Sequence, residues 1–346
     1  MLIDFISVVE AAWQEYDSSR AILSINDISA MVSTNHVFRI RLEDGSMVIA
    51  KFSFFGSFED FFEDHSLINA LANNLPAPYD QFLSRSLMKK NQLFTYHHQD
   101  AVLDAWVVLY NPIRVDQMLP KRLDDNQIEI LGGELARFHK TCSRLTNILP
   151  DWSKTLKSDM DHLLRILETP EGQFQHRGHI EEIREQVRIF DANMIALDAH
   201  GWDAIPVFVD WNIGNFSVTK ATRFFSRWDY DWFRMSSRVL DFYFFSRVCS
   251  SAGDKTVFSY LIDPLFEDRF MIFLKAYHEV YPLNREEIYF IKEAYRFFIL
   301  NYVIKYGSYF FHEFYANKLQ QEAFEIYFPR LDDGFIPEKI FTALNL

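Results

Sequence analysis

Between Val37 and Phe52 the chain reads VFRIRLEDGSMVIAKF, two runs that alternate apolar and polar residues around EDGS. Alternation with period two, broken by a short Gly-containing turn, predicts a β-hairpin. A strand cannot share its period with a helix, so this segment fixes a sheet in the first third of the chain. Helical spacing surrounds it. Met1 to Tyr16 carries apolar residues at that spacing, and Phe58 to Asn74 reads as a helix. LPAP, Leu75 to Pro78, ends the second helix, since proline cannot continue it.

Two further strand-like segments follow, QLFTYHH and DAWVVLYNP, and the second runs into a turn or linker at Asn111–Pro112. From Asn126 to Cys142 the pattern is helical, with ILGGELARFHK at its centre. Residues 150–200 read as charged helices, Ile205 to Trp232 as a short strand-rich island, and the chain from Arg238 onward as helices with loops around Pro264, Pro282 and Pro329. The organisation predicted is a small β-rich N-terminal part, a hinge near residues 110–116 and a larger helical part. A length of 346 residues suits two such lobes around a cleft.

A net charge of −13 argues against a general nucleic-acid binder, because phosphate backbones need a basic face. It leaves room for ATP, which needs only a local cluster of Lys, magnesium and backbone N–H groups. It also favours a cationic or neutral substrate over an anionic one. Cys142 and Cys249 have no metal-ligand spacing and suit a reduced, cytoplasmic setting. The N-terminus lacks the basic start of a signal peptide. No run approaches the roughly 20 apolar residues of a membrane span, so no membrane partner is expected.

The segments that carry chemistry lie in the island. VFVDWNIGNFSV, Val207 to Val218, places Asp210 and Asn215 in a D-x-x-x-x-N spacing, and FFSRWDYDW follows with Asp229 and Asp231. Upstream, Lys51 sits in an alternating strand. Phosphoryl transfer needs such groups. A carboxylate orients the attacking hydroxyl and takes its proton, an amide oxygen and a second carboxylate hold magnesium, and a lysine fixes the phosphates. Each residue alone has a plain structural alternative: an exposed strand-end lysine, or Asp and Asn in turns.

The ordered set Lys51, ELARFH, Asp210, Asn215, Asp229 and Asp241 resembles the aminoglycoside phosphotransferase-like kinases, a group that includes choline, homoserine and methylthioribose kinases. FVDWNIGN resembles their H-G-D-x-x-x-x-N segment, WDYDW their I-D-[FWY] strand, and RVLDFYFF their downstream D-L-A-like helix start. The resemblance implies an α+β, bilobal protein-kinase-like fold. Its small N-lobe, residues 1–110, has an antiparallel sheet plus a helix, and its larger, mostly helical C-lobe spans 111–346.

It implies ATP and Mg2+, with Asp210 as catalytic base, Asn215 and Asp229 on the metal, and Lys51 on the phosphates. Ser33, Thr34 and Asn35 would replace a glycine-rich loop. Main-chain groups at Val108 and Tyr110 would read the adenine, and Asp64, or Glu63 beside it, would pair with Lys51. Asp231 would be secondary. Asp241 would cap the helix after it and brace the catalytic loop, and His139 would be a packed helix histidine. One departure is Phe208, where the family has histidine.

The function implied is phosphorylation of a small-molecule hydroxyl. The alternatives are an inactive kinase-fold binding protein and a Ser/Thr protein kinase. Residues 151–200 are the segment that could cover a small-molecule site.

Overall fold

A computed structural model describes residues 4–29, 36–54, 56–253 and 259–346. Helix α1, Phe5–Asp17, leads into strands β1 (Ile22–Asp27), β2 (His36–Leu42) and β3 (Met47–Ser53), then helix α2 (Phe58–Asn74). After two-residue strands β4 (Met88–Lys89) and β5 (Gln92–Leu93) come β6 (Thr95–Gln99) and β7 (Asp104–Tyr110). An antiparallel sheet of five strands forms in the order β1-β2-β3-β7-β6. The predicted hairpin is β2–β3, closed where Gly45 takes φ +84°, a conformation that costs glycine little.

The helices start where the sequence supplies caps. The Ser57 side chain accepts from the Asp60 N–H, and Glu59 and Asp60 lie in the first turn of α2, where the helix dipole favours acids. Asp124 and Gln127 form a capping box that opens α3, Asp125–Leu145. The helical lobe continues through α4 (Leu156–Ile166), α5 (Pro170–Gln175) and α6 (Ile180–Ala196). Then come the short strands β8 (Ile205–Val207), β9 (Phe216–Val218), β10 (Phe224–Arg227) and β11 (Arg234–Ser236), paired as β8–β11 and β9–β10.

Helices α7 (Phe242–Cys249), α8 (Asp268–Val280) and α9 (Arg285–Phe298) follow, and a π-helical stretch, Ile299–Lys305, extends α9. The chain ends through α10 (Gly307–Phe310), α11 (Glu313–Glu322), α12 (Phe328–Gly334) and α13 (Pro337–Leu344). Gly132 of α3 lies against the Phe273 carbonyl of α8 with no room for a Cβ, so a glycine is needed for these helices to pack this closely. No described helix is long and apolar enough to cross a membrane.

The molecule has the expected bilobal layout, but its apolar interior divides unevenly. One face of the sheet, with Phe38, Ile40, Ala50, Phe52 and Val107, closes on Val9 and Trp13 of α1. Leu67, Ile68 and Leu71 of α2, with Val108 and Tyr110 of β7, belong instead to the large core that runs through the helical lobe. Helix α2 is therefore a packing partner of both lobes.

Candidate active site between the lobes

Lys51 points from β3, with β2 and β7 on either side and Val37 and Val108 as its cross-strand partners. It is 7% exposed. Its ammonium forms an ion pair with Asp231 and lies 3.7 Å from Asp229 Oδ1. Burial pushes the ammonium pKa down, but the charges of Asp231 and Asp229 outweigh burial and hold it above the ordinary lysine value.

The partner expected for Lys51 is an acid of α2, whereas in this structure its ion-pair partner is Asp231. Asp64 pairs with Lys154, and Glu63 accepts the Ser153 N–H at 2.9 Å. Both acids tie α2 to the start of the 151–200 segment. Burial raises Asp64 to about 6 although Lys154 opposes the shift.

Asp210 lies on the loop between β8 and β9. Its Oδ1 accepts the Asn212 N–H at 3.1 Å, and its carbonyl accepts from Arg227 Nη2 at 2.7 Å and from Asn215 Nδ2 at 3.4 Å. Burial first, then the charge of Asp229, raise Asp210 to about 7, against the pull of the Asn212 N–H and Arg227. A carboxyl near neutrality suits a proton acceptor at physiological pH.

The loop is strained next to it. Val209 takes φ +60°, which is rare for a β-branched residue. Asp241, fully buried, holds the strained turn by accepting the N–H groups of Phe208 at 3.0 Å and Val209 at 2.7 Å. His139 Nε2 lies 2.9 Å from its other oxygen, and His139 Nδ1 lies 2.8 Å from the Tyr277 hydroxyl. Asp241 thus braces the loop as expected, but its side chain does not cap α7.

Phe208 packs among Phe138, Trp211, Tyr230 and Phe233. The Arg227 guanidinium, also fully buried, lies 4.6 Å from the Phe208 ring centre and 4.4 Å from that of Trp211. Arg227 and Lys154 are contributors the motif spacing does not reveal. The available signal for Arg227 was chemical: it stands at the end of the strand FFSR, directly before the apolar-flanked acidic segment WDYDW.

Ser33 and Asn35 lie outside the described residues. Val108 and Tyr110 do not fit the adenine role. Val108 is flanked by Lys51 on β3 and Thr95 on β6, and Tyr110 by Ile49 on β3 and Ser86, so paired backbone lies on both sides of each. The Tyr110 hydroxyl meets His65 Nδ1 at 2.5 Å.

Asn215 and Asp229 are hard oxygen donors of the kind that magnesium shares with phosphate and water. Asp229 keeps 36% of its side chain exposed, so a ligand can reach it. Among the described residues no group of three or more His, Cys, Asp or Glu gathers to cage a metal alone. A cavity of about 130 Å³ adjoins Lys51 and Asp231. Its walls include Phe61, Lys154, Asp159, Arg234, Tyr302 and Phe310, so α4 of the 151–200 segment borders it. Within the wall, Asp159 meets Arg234 at 2.7 Å, and it also meets Lys305 at 2.9 Å.

No protein-family model and no curated protein sequence matches the chain. Solved structures do match. An amicoumacin kinase, solved with AMP-PNP and Ca2+, superimposes with a TM-score of 0.59 at 14% identity, over 92% of this chain and 93% of the other. A microcompartment-associated aminopropanol kinase gives 0.59 at 13% identity, over 92% and 94%. The choline kinase LicA from Streptococcus pneumoniae gives 0.55 at 16%, over 92% and 98%. At these identities the likeness is one of architecture, and the chain has the bilobal protein-kinase-like fold shared by these kinases.

Proposed function

We propose that the protein transfers the terminal phosphoryl group of ATP to a hydroxyl of a small molecule. The observation that carries this reading is the meeting of four chemistries in one place. Lys51 lies 3.7 Å from Asp229, Asp229 raises the pKa of Asp210, and Asn215 bonds the Asp210 backbone. In this reading Lys51 binds the phosphates and Asp210 accepts the hydroxyl proton. Asn215 and Asp229 would hold magnesium, which supplies charge neutralisation between the phosphates when bound. The base would be read beyond β7, by the connecting residues after Asn111. The acceptor hydroxyl would lie against Asp210, whereas the cavity beside Lys51, which Asp210 does not line, adjoins the lysine that would hold the phosphates.

Phe208 supports a second reading, a kinase-fold binder without transfer, because an aromatic ring offers the loop no hydrogen bond. One experiment separates the two. Purified protein is incubated with Mg-ATP and a panel of hydroxyl compounds that includes choline, amino alcohols, sugars and aminoglycosides. ATP-dependent product that Asp210→Asn abolishes supports transfer. Magnesium-dependent nucleotide binding with no product across the panel supports the binder.

A further inference from the structure

We infer that Asp231, not an acid of α2, is the positioning residue for Lys51, and that it keeps hold of the ammonium while nucleotide is bound. The inference rests on the nucleotide reading above. A buried ammonium without a partner pays a heavy desolvation cost, so the carboxylate it meets decides where it points. Lys51 meets Asp231. Asp231 is itself fixed, because its N–H donates to Asp229 Oδ1 at 3.1 Å and the chain continues into β11, where Arg234 is held by Asp159.

The acids of α2 are engaged elsewhere. Asp64 pairs with Lys154 through Oδ2, with its buried Oδ1 left without a hydrogen-bond partner, and Glu63 accepts the Ser153 N–H, so neither is the ion-pair partner of the lysine. An ammonium carries three donors, so pairing with Asp231 leaves protons for phosphate oxygens.

The test is a set of equilibrium titrations with Mg-ADP. The proteins are wild type, Lys51→Met, Asp231→Asn, Asp231→Glu, Asp64→Asn and the double variant Lys51→Met/Asp231→Asn, each checked by thermal melting without nucleotide. Lys51→Met and Asp231→Asn should each weaken binding about tenfold or more, the scale of a charged hydrogen bond. The double variant should bind no worse than Lys51→Met alone, because the two residues act as one unit. Asp231→Glu should recover most of the loss, and Asp64→Asn should cost less than about threefold, as for a partly exposed ion pair. The melts should show the same non-additivity in the empty protein. Asp231→Asn binding within about twofold of wild type, with Lys51→Met weakened, overturns this inference alone. So does an Asp64→Asn loss that equals that of Lys51→Met. A wild type that binds no nucleotide overturns the nucleotide reading as well.

Discussion

Lys51 and Asp210 share Asp229 as a charged neighbour but are held in different ways. Lys51 is mounted on regular structure, with β2 and β7 pairing on both sides of its strand. The sheet does not by itself choose the partner of its side chain. Asp210 is mounted on an irregular loop, with a left-handed residue before it and no sheet ladder of its own. Its position depends on buried side chains from elsewhere, Asp241 and Arg227 above all. Damage around Lys51 should therefore appear as lost affinity in an intact fold. Damage around Asp210 should appear as lost turnover or lost stability.

The largest effect expected is on turnover. Asp210→Asn should lower it by about a hundredfold to ten-thousandfold, the usual scale for a lost general base, with nucleotide affinity nearly kept. The same variant carries a pH signature. The folded pKa of Asp210 is raised from the usual carboxyl value of 3.8 to about 7. Its contribution to stability is present at low pH and is lost as pH rises through about 7. Asparagine has no charge to bury, so its melting temperature should gain on wild type between pH 4 and pH 8. A constant gap across that range would mean that Asp210 ionises as an ordinary carboxyl, and the contrast with Lys51 would lose its electrostatic half.

Asp241→Ala should come next. It strips the Phe208 and Val209 N–H groups and His139 of their acceptor inside the core, and should cost about 3–5 kcal/mol in urea unfolding, as for a broken buried charged network. A cost below about 1 kcal/mol would mean that the strained loop holds itself.

The smallest effect expected is for Lys154→Met, which removes a partly exposed ion pair and should cost less than about 1 kcal/mol at neutral pH. Asp64 already has a raised pKa of about 6, so its stabilisation is present below the unfolded value and fades as pH rises through 6. Without Lys154 that fading should steepen in melts between pH 5 and pH 7. If the slope is unchanged, the pair between the lobes is not formed in solution.

Much of this contrast was legible in the sequence, and the illegible part has a physical cause. The β2–β3 hairpin and α2 could be read because alternation, a Gly turn and a proline stop are local signals. β1, Ile22–Asp27, was not anticipated. It is the edge strand of the sheet, half exposed, and ILSIND alternates only weakly. Asp210, Asn215 and Asp229 could be listed from spacing, but the partner of Lys51 could not. FFEDH and WDYDW both offer carboxylates, and only the packed tertiary structure decides which one arrives. Val209 was equally hidden, since nothing local predicts a positive φ at valine. The strained turn is braced by Asp241, thirty-odd residues downstream.

The uneven interior has a dynamic consequence. The five-stranded sheet seals one face with α1 into a small core of its own, while α2 shares the large core of the helical lobe. Cooperative opening follows such boundaries, because each unit unfolds with the contacts that it buries. The sheet and α1 should therefore exchange their amide hydrogens as one unit, and α2 should exchange with the helical lobe that follows it in the chain. The seam along which the protein breathes would then lie inside the small lobe, between the sheet that carries Lys51 and the helix beneath it.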